Sequence, residues 1–169
     1  MKGYEDITHK FVSKGTKQIS KIEIRKFIRI NGKTYIKKQV RPNSDKKVPE
    51  VAEWLKDTFG GKTFINPEVK GHNMPRSADL NFRNQKWEVK SPTGNSIRTI
   101  DNNIISGKGQ ANNFVIDITN SKISLEDGIE RLNKIYKDPK RYYVNKIILR
   151  KGEKYIVTKK NRAYPPTNT

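Results

Sequence analysis

Hydrophobic and polar residues alternate strictly along two short segments near the middle of the chain. The apolar members of these segments are Ala78, Leu80, Phe82, Trp87 and Val89. Between them stand single polar or charged residues, and a period of two is typical of half-buried β-strands. Because only a few residues separate the two segments, the pattern predicts a β-hairpin over residues 77–90.

Other parts of the chain alternate between helical and strand patterns. Apolar residues three or four positions apart predict helices over 49–59, 96–108 and 124–137, and Gly60 and Gly61 mark the end of the first. Strands are predicted over 62–69, 113–119, 144–149 and 155–157, and Asn31-Gly32 predicts the turn of a basic hairpin over 25–38. Asp117 interrupts an apolar strand, so it requires a partner, either a basic side chain or a backbone cap.

This order of elements predicts an α/β fold. The expected core is one mixed sheet that contains the 77–90 hairpin and the 113–119 strand and is covered by the three helices, with the basic hairpin at its periphery. The chain has 169 residues, a length that suits one domain. We expect an N-terminal arm over 1–20, the domain over 21–158, and a basic, disordered tail over 159–169.

The charge of the chain predicts a polyanionic partner. Lysine and arginine total 36 against 17 acidic residues, a formal charge of +19. Nucleic acid is favoured over membrane, because the sequence has no basic helix with a broad apolar face and no apolar run long enough to insert. The chain has no cysteine and two histidines, which leaves carboxylates as the plausible metal ligands.

Asp79, Glu88 and Lys90 fall on the polar face of the predicted hairpin. With Asn84 and Gln85 as the turn, Asp79 would lie opposite Lys90, and Glu88 would be diagonal to Asp79 at roughly 7–8 Å. Carboxylates at that separation suit Mg²⁺ or Mn²⁺, and the lysine suits orientation of a water or charge compensation at phosphate. The alternative is a surface Asp79–Lys90 ion pair with Glu88 as a solvated strand residue.

The hairpin residues, written Pro75…Asp79-x8-Glu88-Val89-Lys90, resemble the core of PD-(D/E)XK nucleases. With the downstream SPTGNSIRTIDNNI and GQANNFVIDI, the chain is more particularly similar to the C-terminal nuclease domain of CdiA-type contact-dependent inhibition toxins, which is also found fused to phage head proteins. The resemblance is strongest over residues 50–119. It implies a single-domain PD-(D/E)XK-like fold and a metal-dependent endonuclease, often of tRNA.

The resemblance also implies roles for residues outside the hairpin. Glu53, on the helix before the hairpin, would be a third metal ligand beside Asp79 and Glu88, and Gln110 would support the active site with Lys90. By spacing alone, Glu53 is a solvated helix residue and Gln110 a surface amide. As a toxin, the domain would act in the bacterial cytoplasm as the delivered C-terminal part of a larger secreted or phage protein. Its charge would favour an acidic immunity protein as a partner.

Substrate contacts are expected mainly from basic side chains of the 25–38 hairpin. The candidate nucleic-acid-binding residues are Arg25, Lys26, Arg29, Lys33, Lys37, Lys38 and, near the site, Lys108. The alternative for this hairpin is a structural ribbon. For the whole chain, the alternatives to a tRNA nuclease are a metal-dependent DNA endonuclease or junction resolvase and a non-catalytic basic nucleic-acid-binding domain.

Overall fold

The computed structural model describes residues 4–8, 22–24, 28–30, 33–35, 40–41, 47–61, 63–66, 68–69 and 78–160. The helices are α1 (Lys47–Phe59), α2 (Arg98–Ser106), α3 (Leu125–Lys137) and a short 3-10 helix (Pro139–Arg141). The strands are β1 (Tyr4–Asp6), β2 (Ile22–Ile24), β3 (Ile28–Ile30), β4 (Lys33–Tyr35), β5 (Val40–Arg41), β6 (Thr63–Ile65), β7 (Glu68–Val69), β8 (Leu80–Phe82), β9 (Gln85–Lys90), β10 (Asn113–Asp117), β11 (Lys146–Lys151) and β12 (Lys154–Lys160). The predicted α/β class is confirmed. Among the described helices, none combines the length and the apolar character that crossing a bilayer would require.

The chain folds into two compact units. The hairpin unit comprises residues 11–89 and 109–111, and the C-terminal unit comprises residues 1–10, 90–108 and 112–169. In the hairpin unit, strands are arranged in the order β2-β6-β8-β9, with β2 parallel to β6 and the remaining neighbours antiparallel. This mixed arrangement contains the predicted hairpin.

Aromatic side chains join α1 to the β8–β9 hairpin. The rings of Phe59 and Phe82 are 6.2 Å apart between centroids, and those of Phe82 and Trp87 are also 6.2 Å apart. All three residues are buried, so they form the core beneath the hairpin. α1 ends at Phe59, as predicted, because Gly60 has a φ of 72° that glycine adopts without steric cost.

The turn of this hairpin differs from the prediction. Phe82 pairs with Gln85, so the two turn residues are Arg83 and Asn84, with φ angles of 51° and 62°. Such positive angles belong to a type I′ turn. Arg83 is held in this conformation by its guanidinium, which donates to the carbonyl oxygen of Phe59 and lies over the Phe82 ring. Partial burial lowers the pKa of that guanidinium.

The C-terminal unit arranges its strands in the order β1-β12-β11-β10. β10 and β11 are parallel, and β11 and β12 form an antiparallel hairpin whose turn contains Gly152, at a φ of 61°. α3 begins at the predicted cap, where the Ser124 hydroxyl accepts from the Asp127 amide. The core members of this unit are Ile100, Ile104, Phe114, Ile116, Ile118, Ile123, Leu132, Ile135, Tyr136, Val144, Ile147 and Leu149.

A buried ion pair connects β10 to β11. The Nη1 of Arg150 donates to Oδ2 of Asp117 at 3.2 Å, and the amide of Thr119 donates to Oδ1 at 2.9 Å. Both charged residues are buried. The prediction that Asp117 needs a basic partner or a backbone cap is confirmed, and the structure supplies both.

The ends of the chain differ from the predicted arm and tail. Tyr4–Asp6 forms β1 and pairs antiparallel with β12, which extends to Lys160. Lys159 and Lys160, expected in a disordered tail, are therefore strand residues. Backbone pairing with a segment far away in the chain defines this strand end, and no local sequence signal reports such pairing. The rest of the predicted tail, residues 161–169, lies outside the described residues.

The basic hairpin predicted over 25–38 is confirmed in the pairing of its strands. Ile28 pairs with Tyr35, and Ile30 pairs with Lys33. The predicted turn residues Asn31 and Gly32 lie outside the described residues. Of its candidate binding residues, Arg29 and Lys33 lie in β3 and β4. The others, Arg25, Lys26, Lys37 and Lys38, lie outside the described residues.

Lys146 and Lys159 oppose each other on β11 and β12. Burial lowers the pKa of Lys146, and the positive charge of Lys159 lowers it further. Like charges in directly opposite positions destabilise a sheet, so Lys146→Thr is expected to raise the free energy of unfolding by about 0.5 kcal/mol. Urea denaturation at low ionic strength measures this change.

Salt and pH provide the controls for this prediction. The increase in the free energy of unfolding should be smaller at high salt. Lys86 is an exposed strand lysine opposite Asn81, so Lys86→Thr should give no such increase. Because the folded pKa of Lys146 lies below its unfolded value, the native state releases that proton first. The stability of the parent protein should therefore rise as pH increases through that window. A loss of stability in Lys146→Thr would contradict the repulsion.

Candidate active site

Asn66 fixes the backbone that carries Asp79. Its side-chain amide donates to the carbonyl of Ala78 at 3.1 Å, and its backbone amide donates to the carbonyl of Asp79 at 2.8 Å. The Nδ2 of Asn81 donates to its Oδ1 at 3.4 Å. Asn66 is 5% exposed, so these bonds are shielded from water. Sequence reasoning missed this residue, whose only signal is a polar side chain directly after the strand over 63–65.

The carboxylate of Asp79 lies against β9. Its Oδ2 accepts the backbone N–H of Val89 at 2.9 Å. Glu88 directly precedes Val89 in the chain, so the contact sets the Asp79 carboxylate beside the strand segment that carries Glu88. Lys90 follows Val89 in the chain and is the first residue of the 90–108 segment of the C-terminal unit. One carboxylate and its strand neighbours are thereby fixed by a single hydrogen bond.

The pairing register changes the partners within the candidate site. Leu80 pairs with Trp87, so continuing this register by one residue places Asp79 opposite Glu88. The sequence-based prediction had Lys90 in that position and Glu88 on the diagonal. Directly opposite residues in an antiparallel pair have Cβ atoms about 4.5–5.5 Å apart. Continued by one residue, the observed register would bring the two carboxylates nearer to each other than the predicted register implied.

The environment of this carboxylate pair is only partly open to solvent. Glu88 is 2% exposed, while Asp79 and Lys90 are half-buried. Away from bulk water, electrostatic attraction between carboxylates and a cation is less screened. The oxygen donors suit a hard divalent cation, and Mg²⁺ commonly uses one or two carboxylates together with water and substrate phosphate. The donor set therefore fits such an ion.

Glu53 is not brought to the carboxylate pair. Its side chain is 55% exposed on α1 and makes an ion pair with Lys56 at 3.3 Å. Within the described residues, no group of three or more histidine, cysteine or acidic side chains is placed to hold a metal ion. The predicted three-carboxylate set is thus not assembled, because residue 53 faces away from the apolar side of α1 that packs into the unit.

Gln110 and Lys108 occupy different units. Gln110 is half-buried in the hairpin unit, which also holds Asp79 and Glu88. Lys108 belongs to the C-terminal unit, where its ammonium lies 5.6 Å from the ring centroids of both Tyr142 and Tyr143. The aromatic environment of Lys108 was not anticipated from the sequence.

Comparison with known proteins finds a family model that matches part of the chain. Residues 76–155 match the model of the contact-dependent growth inhibition CdiA C-terminal domain. The chain is similar to this family over that segment. Asp79, Glu88, Lys90 and Gln110 lie inside the matched segment, whereas Glu53 precedes it.

No curated protein matches the chain. A solved structure described as the CdiA-CT/CdiI toxin and immunity complex from Burkholderia pseudomallei is similar to this chain, with 22% sequence identity and a TM-score of 0.49. The similarity covers 81% of this chain and 98% of that one.

Proposed function

We propose that this chain is a CdiA-type C-terminal toxin domain and a metal-dependent endonuclease that hydrolyses phosphodiester bonds of structured RNA, with tRNA as the favoured substrate. The observation that carries the proposal is the hydrogen bond from the Val89 amide to the Asp79 carboxylate. It sets Asp79 beside the strand segment that bears Glu88, within the stretch that matches the family. A carboxylate pair followed by a lysine suits phosphodiester hydrolysis.

Each residue has a distinct role in this proposal. Asp79 and Glu88 hold Mg²⁺ or Mn²⁺, and Asn66 keeps the Asp79 backbone in place. When bound, the cation polarises the scissile phosphate and lowers the pKa of a bound water. Lys90 orients the attacking water and offsets the negative charge that grows on the phosphate in the transition state. Gln110 supports the same site from within the hairpin unit.

The match to the CdiA C-terminal family model supports the biological part of the proposal. The domain acts as a growth-inhibiting toxin, delivered as the C-terminal part of a larger protein into the cytoplasm of a target bacterium. A cell that makes such an enzyme needs an inhibitor. With a formal charge of +19, the chain favours an acidic immunity protein that covers the active face.

A panel of substrates tests the proposed activity. Purified protein is incubated with Mg²⁺ and, separately, tRNA, unstructured RNA and supercoiled plasmid, and the products are separated on gels. We expect discrete cleavage of tRNA. Nicking of the plasmid with intact tRNA would make the domain a DNA endonuclease, and intact substrates throughout would refute the nuclease proposal.

Lys90→Gln is expected to lower kcat by roughly 100-fold or more while KM changes little. The reason is that a contact made chiefly in the transition state affects turnover rather than ground-state binding. The matched control is Lys86→Gln, which removes an exposed lysine four positions earlier on β9. Steady-state kinetics on the cleaved substrate should show near-parent turnover for the control. A rise in KM with unchanged kcat would make Lys90 a phosphate clamp.

A further inference from the structure

Two exposed apolar residues lie in adjoining segments of the C-terminal unit. Among the residues whose side chains are described, Ile105 and Tyr142 are the large hydrophobic residues that are exposed, at 45% and 59%. Ile105 lies near the end of α2, and the Tyr143 hydroxyl donates to the carbonyl of Ile104 at 3.1 Å. This bond brings the loop after the 3-10 helix to the end of α2, where Lys108 contacts the Tyr142 ring.

A lysine ammonium lies against the pair of tyrosine rings in this loop. The rings of Tyr142 and Tyr143 meet edge to face at 5.8 Å, and the Lys108 ammonium is 5.6 Å from both centroids. Tyr143 is partly buried, and burial raises the pKa of its hydroxyl, which stays protonated and donates to Ile104. Tyr143 thus anchors the pair, and Tyr142 presents its ring to solvent.

We propose that Tyr142, with Lys108 beside it, is a stacking platform for an unpaired base of a nucleic-acid strand. An exposed ring offers its face to any base, and an adjacent ammonium can neutralise the phosphate next to that base. Lys140, an exposed residue two positions before Tyr142, adds a positive charge to this segment, whereas Arg141 is paired with Asp138 at 3.9 Å. The proposal rests on the proposed function only in taking nucleic acid as the substrate.

The chemistry of the patch favours nucleic acid over an apolar partner. The platform is a single exposed ring, Tyr142, with the Lys108 ammonium beside it, on a chain of formal charge +19. A hydrophobic protein interface would instead require a broad apolar core with few charges. Stacking needs a base that is free of its own pairing partners. The platform therefore selects loops and single-stranded ends over continuous duplex.

Binding of labelled oligonucleotides tests the platform in the full chain. Fluorescence anisotropy is measured in EDTA, so that metal-dependent cleavage is suppressed, with single strands of RNA and of DNA of about 12 nucleotides and with the matching duplexes. Tyr142→Ala is expected to weaken single-strand binding by roughly 5- to 150-fold and duplex binding by less than about twofold, since base stacking contributes about 1–3 kcal/mol. Tyr142→Phe, which keeps the ring, should bind like the parent.

Lysine variants separate stacking from charge. Lys108→Ala should reduce the salt slope of single-strand binding by about 0.7, the value for one phosphate contact, whereas Tyr142→Ala should leave that slope unchanged. The matched control is Lys122→Ala, which removes an exposed lysine elsewhere in the same unit. Urea denaturation should show unchanged folding in all variants. Comparison of the RNA and DNA arms identifies which strand the platform prefers.

Several results would contradict the proposal that Tyr142 is a stacking platform. If Tyr142→Ala binds single strands like the parent, Tyr142 is not a stacking platform and the patch has another partner, such as a protein. If the variant loses equal affinity for single strands and duplexes, the substitution acts through charge or folding in general. The cleavage panel is independent of this outcome. Intact substrates together with a single-strand defect in Tyr142→Ala would refute the nuclease and keep the platform. Cleavage of RNA together with parent-like binding by the variant would do the reverse.

Discussion

Replacing Asp79 with asparagine is expected to lower cleavage by at least about 100-fold and to leave the fold intact. Changes to groups that merely support metal ligands cost 10- to 100-fold, so loss of a ligand charge should cost at least as much. The Oδ1 of asparagine can still accept the Val89 amide, which preserves the contact that orders the hairpin. Cleavage rates and circular dichroism of parent and variant measure both halves of the prediction.

Glu88→Gln should lose activity to the same degree for the same reason. Because Glu88 is 2% exposed, removing its charge also removes a desolvation cost, and the free energy of unfolding should stay level or rise. An activity loss with undiminished stability is typical of a site residue rather than a structural one.

Glu53→Gln is the matched carboxylate control. Glu53 is exposed and paired with Lys56, so its change should keep cleavage within about threefold of the parent, as for an ordinary surface ion pair. A loss equal to that of Glu88→Gln would return Glu53 to the ligand set that the family resemblance implied. Parent-like activity in both Asp79→Asn and Glu88→Gln would refute the site assignment.

Replacing Arg150 with methionine is expected to lower the free energy of unfolding by about 3–5 kcal/mol. The change leaves the Asp117 carboxylate buried and without its cation, which is among the costliest single changes to a protein interior. Thr119 still donates to Asp117, so part of the carboxylate remains bonded. Urea denaturation of parent and variant gives the difference.

A double variant isolates the charge from the packing. Asp117→Asn combined with Arg150→Met should be clearly more stable than Arg150→Met alone, because no uncompensated charge remains. The exposed pair of Lys47 and Glu50 gives the surface comparison, and Lys47→Met should cost at most about 1 kcal/mol. A cost below 1 kcal/mol for Arg150→Met would mean that water reaches Asp117.

Periodicity predicted the hairpin but could not fix its register. The observed register differs from the predicted one by two positions along the partner strand, and a shift of two keeps every side chain on the same face. The alternation of polar and apolar residues therefore cannot distinguish the two registers. What decides the register is the turn, where Arg83 adopts a positive φ that is uncommon for its residue type. The strand pairing of the basic hairpin was predicted correctly because the sequence Asn31-Gly32 is a specific signal for a two-residue turn.

The range of each sequence signal also explains which other features were predicted from the sequence and which were not. Ser124 and Gly60 are helix-end residues whose effects are confined to one turn, so both ends were predicted. By contrast, β1 pairs with β12 across almost the whole chain. The side-chain bonds of Asn66 join residues 12 and 15 positions apart, and neither pairing leaves a mark on neighbouring residues.

The candidate site likewise has some features that the sequence predicted and others that it did not. Strand alternation put Asp79 and Glu88 on a common polar face, and the structure sets Asp79 against the strand that carries Glu88. The role of Glu53 came from the family resemblance alone, and its helix turns it to solvent. Tyr142 was not singled out, because the exposure of one ring depends on how the loop after α3 packs against α2.

Metal removal tests the central claim most directly. Protein stripped with EDTA is incubated with tRNA, and Mg²⁺ is then added back in increasing amounts. We predict no cleavage in the stripped sample and a saturable return of parent activity with Mg²⁺, which Asp79→Asn fails to show at the same concentrations. Undiminished cleavage of tRNA by the stripped protein would contradict a metal-dependent centre at Asp79 and Glu88.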